Sequence, residues 1–200
     1  EAFVATTHGR DIIGYVDVAA RRDGKVLGLK LRLIADIGAY NMLLTAAIPT
    51  LTMLMANATY DIPAIRTTLT EVFTNKTPTD AYRGAGRPEA TYFVERAMDM
   101  LARELKMSPA DLRRKNFIAP DKFPFATQMG AVYDSGNYGK ALDLALEASN
   151  WDRLVAERDA ARKDGRLVGL GLAMYVEVCG LGPSSSLPTG GWEHSQVTIE

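Results

Sequence analysis

The hydrophobic period of this 200-residue chain turns helical near Pro88 and returns to alternation after Gly165, and that succession of blocks bounds the folds open to it. The first forty residues alternate apolar and polar as strands do. "EAFVATTHGRD" is followed by "IIGYVDVAARRDGKVLGLKLRLIADIGAY", with "RDGK" as the turn of a hairpin. "IPAIRTTLTEVFTN", rich in Ile, Val, Thr and Phe, reads as a further strand. From Pro88 the spacing places Phe93, Ala97, Met100, Leu101 and Leu105 on one helical face, with Glu95, Arg96, Asp99 and Arg103 largely off it. In "KMSPADLRRKNF", Ser108 reads as the cap of a short second helix, Pro109 as its first residue, and Asp111 as a carboxylate that complements its dipole. Asn137 caps a third helix carrying Leu142, Ala145, Leu146 and Ser149, and "WDRLVAERDAARKDGR" is a fourth, ended by Gly165.

"LVGLGLAMYVEV" and "WEHSQVTIE" again suit strands, separated by "CGLGPSSSLPTGG". Strands, then helices, then strands, without a regular βαβ cadence, predict an α+β (irregular α/β) fold in which mixed strands flank a central group of helices. The sub-regions are 1–77, strand-rich with one apolar helix; 78–164, a glycine-arginine loop plus helices; and 165–200, strands. The apolar helix, Met42 to Ala58, approaches the length of a membrane span but carries Pro49, several threonines and Asn57, so core or buried interface is the expectation and no span is assigned.

Composition narrows the function. Lys+Arg 23 against Asp+Glu 24 leaves a formal charge of −1, which draws neither nucleic acid nor acidic lipid. One cysteine, Cys179, excludes an internal disulfide framework, and two histidines, His8 and His194, are too few for a zinc site of ordinary spacing. A reducing, cytoplasmic compartment is expected. With Glu1 first and the alternation running to Glu200, the chain reads as a segment of a longer protein, expected to expose apolar surface and to self-associate when isolated.

The loop "TDAYRGAGRPEATYF", residues 79–93, runs straight into the first long helix. Gly84 and Gly86 let the backbone approach a bound group, Arg83 and Arg87 bring fixed positive charge, and the helix points its positive end the same way. Such a loop suits an anion or polar cofactor; it equally suits a tight turn whose arginines pair with carboxylates elsewhere. "GAGRPE" sets Glu89 where a dinucleotide fingerprint needs its third glycine, and no Walker lysine-serine pair follows, which disfavours a nicotinamide- or flavin-nucleotide domain.

"AYRGAGRPEA", "ELKMSPADLRRKNFI", "YDSGNYGKALDLAL", "GLGLAMYVEVCGLGPS" and "GGWEHSQVTIE", in this order and spacing, resemble the large, molybdopterin-binding subunit of the molybdenum hydroxylases, the xanthine dehydrogenase and aldehyde oxidase family, and its carbon monoxide dehydrogenase-like members most. The resemblance covers about residues 75–200 strongly and the first seventy-four weakly. It implies that the chain is a segment of the molybdopterin-binding domain of a larger catalytic subunit. Arg83 would contact the molybdenum–pterin cofactor, in a dinucleotide form, with Tyr82, Gly84, Ala85 and Gly86 beside it. It further implies a hetero-oligomer with iron–sulfur and flavin (FAD) subunits, and oxidation of a small molecule by water-derived oxygen. The family's glycine-phenylalanine-glycine motif and its glutamate base fall outside these residues, so no catalytic residue is assigned and the isolated segment is expected to be inactive.

The departures from that pattern bear on substrate. Gly84 stands where carbon monoxide dehydrogenase proper has the cysteine that holds copper, Ala85 where xanthine dehydrogenase has a stacking phenylalanine, and no substrate-orienting arginine stands around Thr50 and Leu51. Neither carbon monoxide nor a purine is supported. A non-catalytic assembly domain derived from the family is the alternative.

By position in the resemblance, Met174, Tyr175 and Glu177 line a substrate pocket; on their own pattern they are strand core and a carboxylate paired at a strand end. Cys179 is expected to be a free structural thiol, "YDSGNY" a turn into the third helix, and "HGR" at His8 to Arg10 a surface or interface feature.

Overall fold

In a computed structural model, which describes residues 6–178 and 195–199, the first two extended runs form the expected hairpin. β1 (Ile12–Ala20) and β2 (Val26–Gly38) pair antiparallel, with Ile12 opposite Ala35 and Val18 opposite Leu29. Gly24, at φ +90°, makes the turn, and the Asp23 carboxylate braces it by accepting from Arg21 and from the Lys25 amide. The Arg21 hydrogen bonds, followed by that amide, hold the Asp23 carboxyl down at about 2. Leu29, Leu31, Leu33 and Ala35 alternate onto one face of β2 and are buried there.

The apolar stretch 42–58 forms a shorter helix than its composition predicts. α1 spans only Ala47–Leu54, because Thr45 closes a turn ahead of it on the Met42 amide and Ala58, at φ +46°, turns the chain beyond it. Pro49 sits in the first turn, where the missing N–H has no intrahelical acceptor to lose. β3 (Ile65–Phe73) then pairs parallel with β2, Leu33 opposite Leu69, giving a sheet of order β1-β2-β3. β2–α1–β3 is therefore a parallel crossover, a unit the block pattern did not predict.

α2 (Arg87–Leu105) packs on the sheet through Val94, Met98 and Ala102, while Ala90 joins a second cluster with Met55, Ile118 and Tyr133. The buried stripe is rotated from the one expected: Met100 is 58% exposed while Glu95 is buried, because Glu95 has buried polar partners described below. α3 (Pro109–Asn116) begins at Ser108, whose hydroxyl accepts from the Asp111 amide as expected. Its last residue, buried Asn116, accepts from the Val26 amide at 2.8 Å and donates to Gly24 O at 2.9 Å, tying the helix to the hairpin turn. A small hairpin, β4 (Phe125–Ala126) and β5 (Val132–Tyr133), leads to α4 (Tyr138–Ser149), capped by Asn137, and α5 (Trp151–Lys163). The mixed α+β architecture agrees with the expectation.

The strands expected over 165–200 are not seen among the described residues. Residues 166–178 and 195–199 have no regular secondary structure, and no strand among the described residues lies alongside to supply a ladder. Leu167, Val197 and Ile199 are almost wholly exposed, and Leu43 and Phe73 add to the uncovered apolar surface. Cys179, His194 and most of "GGWEHSQVTIE" lie outside the described residues. Among those described, no helix is long and apolar enough to cross a membrane.

Candidate functional site at the Arg83 turn

The loop is tied down from its second residue. The Asp80 carboxylate accepts from its neighbour Ala81 at 2.6 Å and from the Leu44 amide at 3.2 Å, while the Asp80 amide donates to His8 O at 2.9 Å. Two overlapping turns follow, Ala85 N to Tyr82 O at 2.8 Å and Arg87 N to Gly84 O at 3.0 Å. Gly84, Ala85 and Gly86 take φ of +107°, +41° and +88°, three positive values in succession.

Two of those positions demand glycine. A Cβ at Gly86 would stand 2.4 Å from Ile48 O and 2.7 Å from Thr52 N, so only glycine lets α1 abut the start of α2. A Cβ at Gly84 would stand 2.6 Å from Pro88 Cγ. Ala85 carries its methyl through the left-handed region at a cost of about 1–2 kcal/mol, which the surrounding contacts must offset.

The charges divide between the two roles left open by the sequence. Arg87 pairs with Glu177, as a tight turn would have it. Arg83 is exposed, and among the described residues its guanidinium has no hydrogen-bond or ion-pair partner. Glu89, in the first turn of α2 and 8% exposed, is paired with Arg10 Nε at 2.6 Å. Arg10 also donates through Nη2 to Arg83 O at 3.2 Å and lies over the Tyr82 ring, 5.0 Å from its centroid. Two of the charges near the positive end of α2 are thus compensated inside the fold, while Arg83 faces outward.

A buried network behind α2 seats the segment that carries Glu177. The Tyr60 hydroxyl donates to Glu95 Oε1, and Arg113 Nε and the Met174 amide both donate to Glu95 Oε2, at 2.8 Å and 2.9 Å. Arg113 Nη2 reaches Asp99 Oδ1 at 2.8 Å and Leu172 O at 2.9 Å. Burial, followed by the charge of Glu95, pushes the Tyr60 phenol far above its ordinary value, so it stays a donor.

Tyr82, Arg83, Gly84, Ala85 and Gly86 therefore share one turn, and Glu177 is brought to the same end of α2. Met174 and Tyr175 are not. The Met174 amide docks eight residues along α2 from Arg87, about 12 Å of helix axis, and the Tyr175 side chain is 66% exposed. Neither is strand core, since no strand forms there. Thr50 spends its hydroxyl on Ala46 O within α1. "YDSGNY" is a turn and cap, with Asp134 accepting from Ser135 and Asn137 from Lys140. Arg10 and Arg113 were missed; the signal for each was a carboxylate on α2, Glu89 or Glu95, whose burial demands a cation from elsewhere. No group of three metal-ligating side chains occurs among the described residues.

Comparison with known proteins follows the same lines. Residues 1–117 match the model of the molybdopterin cofactor-binding domain. The chain is 40% identical over 190 residues to the carbon monoxide dehydrogenase large chain of Hydrogenophaga pseudoflava, covering 92% of this chain and 24% of that one. It is 34% identical over 202 residues to the 6-hydroxypseudooxynicotine dehydrogenase complex subunit gamma of Paenarthrobacter nicotinovorans, covering 98% and 25%. Quinoline 2-oxidoreductase from Pseudomonas putida 86 superposes with a TM-score of 0.83 at 32% identity, over 92% of this chain and 24% of that one. The chain spans about a quarter of the length of these relatives.

Proposed function

The chain belongs to the molybdopterin cofactor-binding domain family of molybdenum hydroxylase large subunits, and from that premise we propose that its Arg83 turn holds the edge of the molybdenum–pterin cofactor in the full-length protein. The observation that carries the reading is the Arg83 guanidinium, exposed and without a partner among the described residues, on a turn whose neighbouring charges are compensated within the fold. The donor set fits the group: an oxyanion-rich centre with a pyrophosphate tail is matched by a guanidinium and a helix N-terminus, on a turn whose glycines pack against Pro88 and α1.

In this reading Arg83 binds and orients the cofactor's anionic edge, Tyr82 and Ala85 flank it, and Gly84 and Gly86 shape the backbone. The bound group supplies oxidation of a small molecule by water-derived oxygen. Gly84 offers no thiolate for copper and Ala85 no ring for stacking, which argues for a substrate other than carbon monoxide or a purine. A dinucleotide form of the pterin, iron–sulfur and FAD subunits in a hetero-oligomer, and a cytoplasmic location complete the proposal. The relatives' names, a "large chain" and a "complex subunit gamma", support a multi-subunit assembly.

The test is molybdenum and pterin content per chain of the full-length protein, co-expressed with its neighbours, for wild type and Arg83→Ala. Near-stoichiometric metal in the wild type and a clear drop in the variant are expected. Metal retained equally in both removes Arg83 from the site; metal in neither favours the assembly-domain alternative.

A further inference from the structure

We infer that Arg10 is a positioning residue that keeps Arg83 free for the cofactor, an inference that rests on the reading of Arg83 above. One guanidinium makes three contacts on three parts of the turn: the Arg83 carbonyl at 3.2 Å, the Glu89 carboxylate at 2.6 Å and the Tyr82 ring at 5.0 Å. The planar fork is what permits this, since two nitrogens of fixed separation address the carbonyl and the carboxylate together. The residues before Arg10 continue the buttress. His8 donates to Pro78 O and accepts from the Asp80 amide, and a Cβ at Gly9 would stand 3.0 Å from Tyr82 Cβ, so this strip lies directly against the loop.

The electrostatic part of the role is the more specific one. The Glu89 side chain is 7% exposed, in the first turn of α2 and six residues after Arg83. A buried carboxylate without a cation is strongly unfavourable and draws the nearest available one. Arg10 supplies the cation paired with Glu89. With Arg10 removed, Arg83, six residues ahead of Glu89 and without a partner among the described residues, is the guanidinium left to compete, so its charge turns inward and the cofactor loses it.

Molybdenum and pterin per folded chain, measured after gel filtration of the full-length protein, separate this role from a purely structural one. Arg10→Ala is expected to weaken cofactor retention about tenfold, as loss of a supporting contact does. Adding Glu89→Gln to Arg10→Ala is expected to restore retention to near the wild-type level, because the competing carboxylate is gone. That rescue is an outcome a simple scaffold role would not give. A folded double variant as depleted as Arg83→Ala overturns the inference, as does full retention in Arg10→Ala. If neither variant folds, Arg10→Lys decides: retention above half supports the role and loss to the Arg83→Ala level overturns it. Arg83→Ala run alongside keeps the two readings apart, since full retention there removes the cofactor contact itself, whereas depletion there with full retention in Arg10→Ala removes only the role of Arg10.

Discussion

Arg113 Nε lies 2.8 Å from Glu95 Oε2, with the arginine side chain wholly buried and the glutamate 6% exposed. A charge pair this far from water adds little net stability over an apolar pair of the same size, but removing one partner leaves the other stranded. Arg113→Met is therefore expected to destabilise the fold by about 3–5 kcal/mol. The same variant frees Leu172 O and loosens the anchorage of the Met174 amide, so hydrogen exchange over 171–178 should accelerate. Unfolding by denaturant together with exchange mass spectrometry checks both; unchanged exchange there would mean the segment is held by other contacts.

Gly86 and Gly165 both have positive φ, but only Gly86 faces a neighbour. At Gly165 a Cβ meets nothing within 4 Å, whereas at Gly86 it collides with the backbone of α1. Gly165→Ala should cost about 1–2 kcal/mol, the conformational penalty alone. Gly86→Ala should cost about 2–4 kcal/mol and reduce cofactor content, because overpacking adds to that penalty and displaces the turn. Equal effects of the two substitutions, measured by thermal melts, would contradict the tight junction.

Gly84→Cys places at this position the residue that copper chemistry requires, and the backbone opposes it. The new Cβ would sit 2.6 Å from Pro88 Cγ at a φ of +107°. A cost of about 2–4 kcal/mol is expected, with no copper bound. Adding Pro88→Ala removes the Cγ and Cδ atoms in the way and should recover about 1–2 kcal/mol of it. Copper content and melting temperature of the single and double variants are the measurements, and stoichiometric copper in the single variant would refute the argument.

Asp36 sets a low-pH limit on the sheet. Burial disfavours its charge, yet Lys76, the Thr74 hydroxyl and the Gly38 amide together hold its carboxyl below the ordinary 3.8. A depressed value means the native state prefers the ionised form. The contribution is complete above the unfolded value and is lost as pH falls through the folded one, so stability should decline below about pH 4. Asp36→Asn should flatten that acid limb while lowering stability at neutral pH, which denaturation at a series of pH values will show.

Elements specified by short-range chemistry were legible in the sequence. Ser108 and Asn137 cap their helices because each cap joins a side chain to an amide three residues on, and Gly24 and Gly165 turn the chain at positive φ. Long-range decisions were not. Whether β3 lies parallel or antiparallel to β2 depends on α1 crossing over, and α1 itself is cut short by Thr45 and Ala58 rather than by hydrophobicity. The strand reading of 167–178 took local alternation as sufficient, but a strand is a pairing, and this segment is held by Arg113 and Glu95 instead. At the site, the Arg83 turn was visible as a cluster of glycine and arginine; Arg10, 73 positions away, was visible only through the unmet need of Glu89.

The ion pair between Glu177 and Arg87 joins the turn to a residue far downstream of it. Its two partners are ninety positions apart in the chain (177 − 87), so a chain ending ahead of Glu177 would keep the Arg10 contacts of the turn and lose this one. Such a shortened chain would present two guanidiniums, Arg83 and Arg87, at the start of α2 where the described residues leave only Arg83 without a partner.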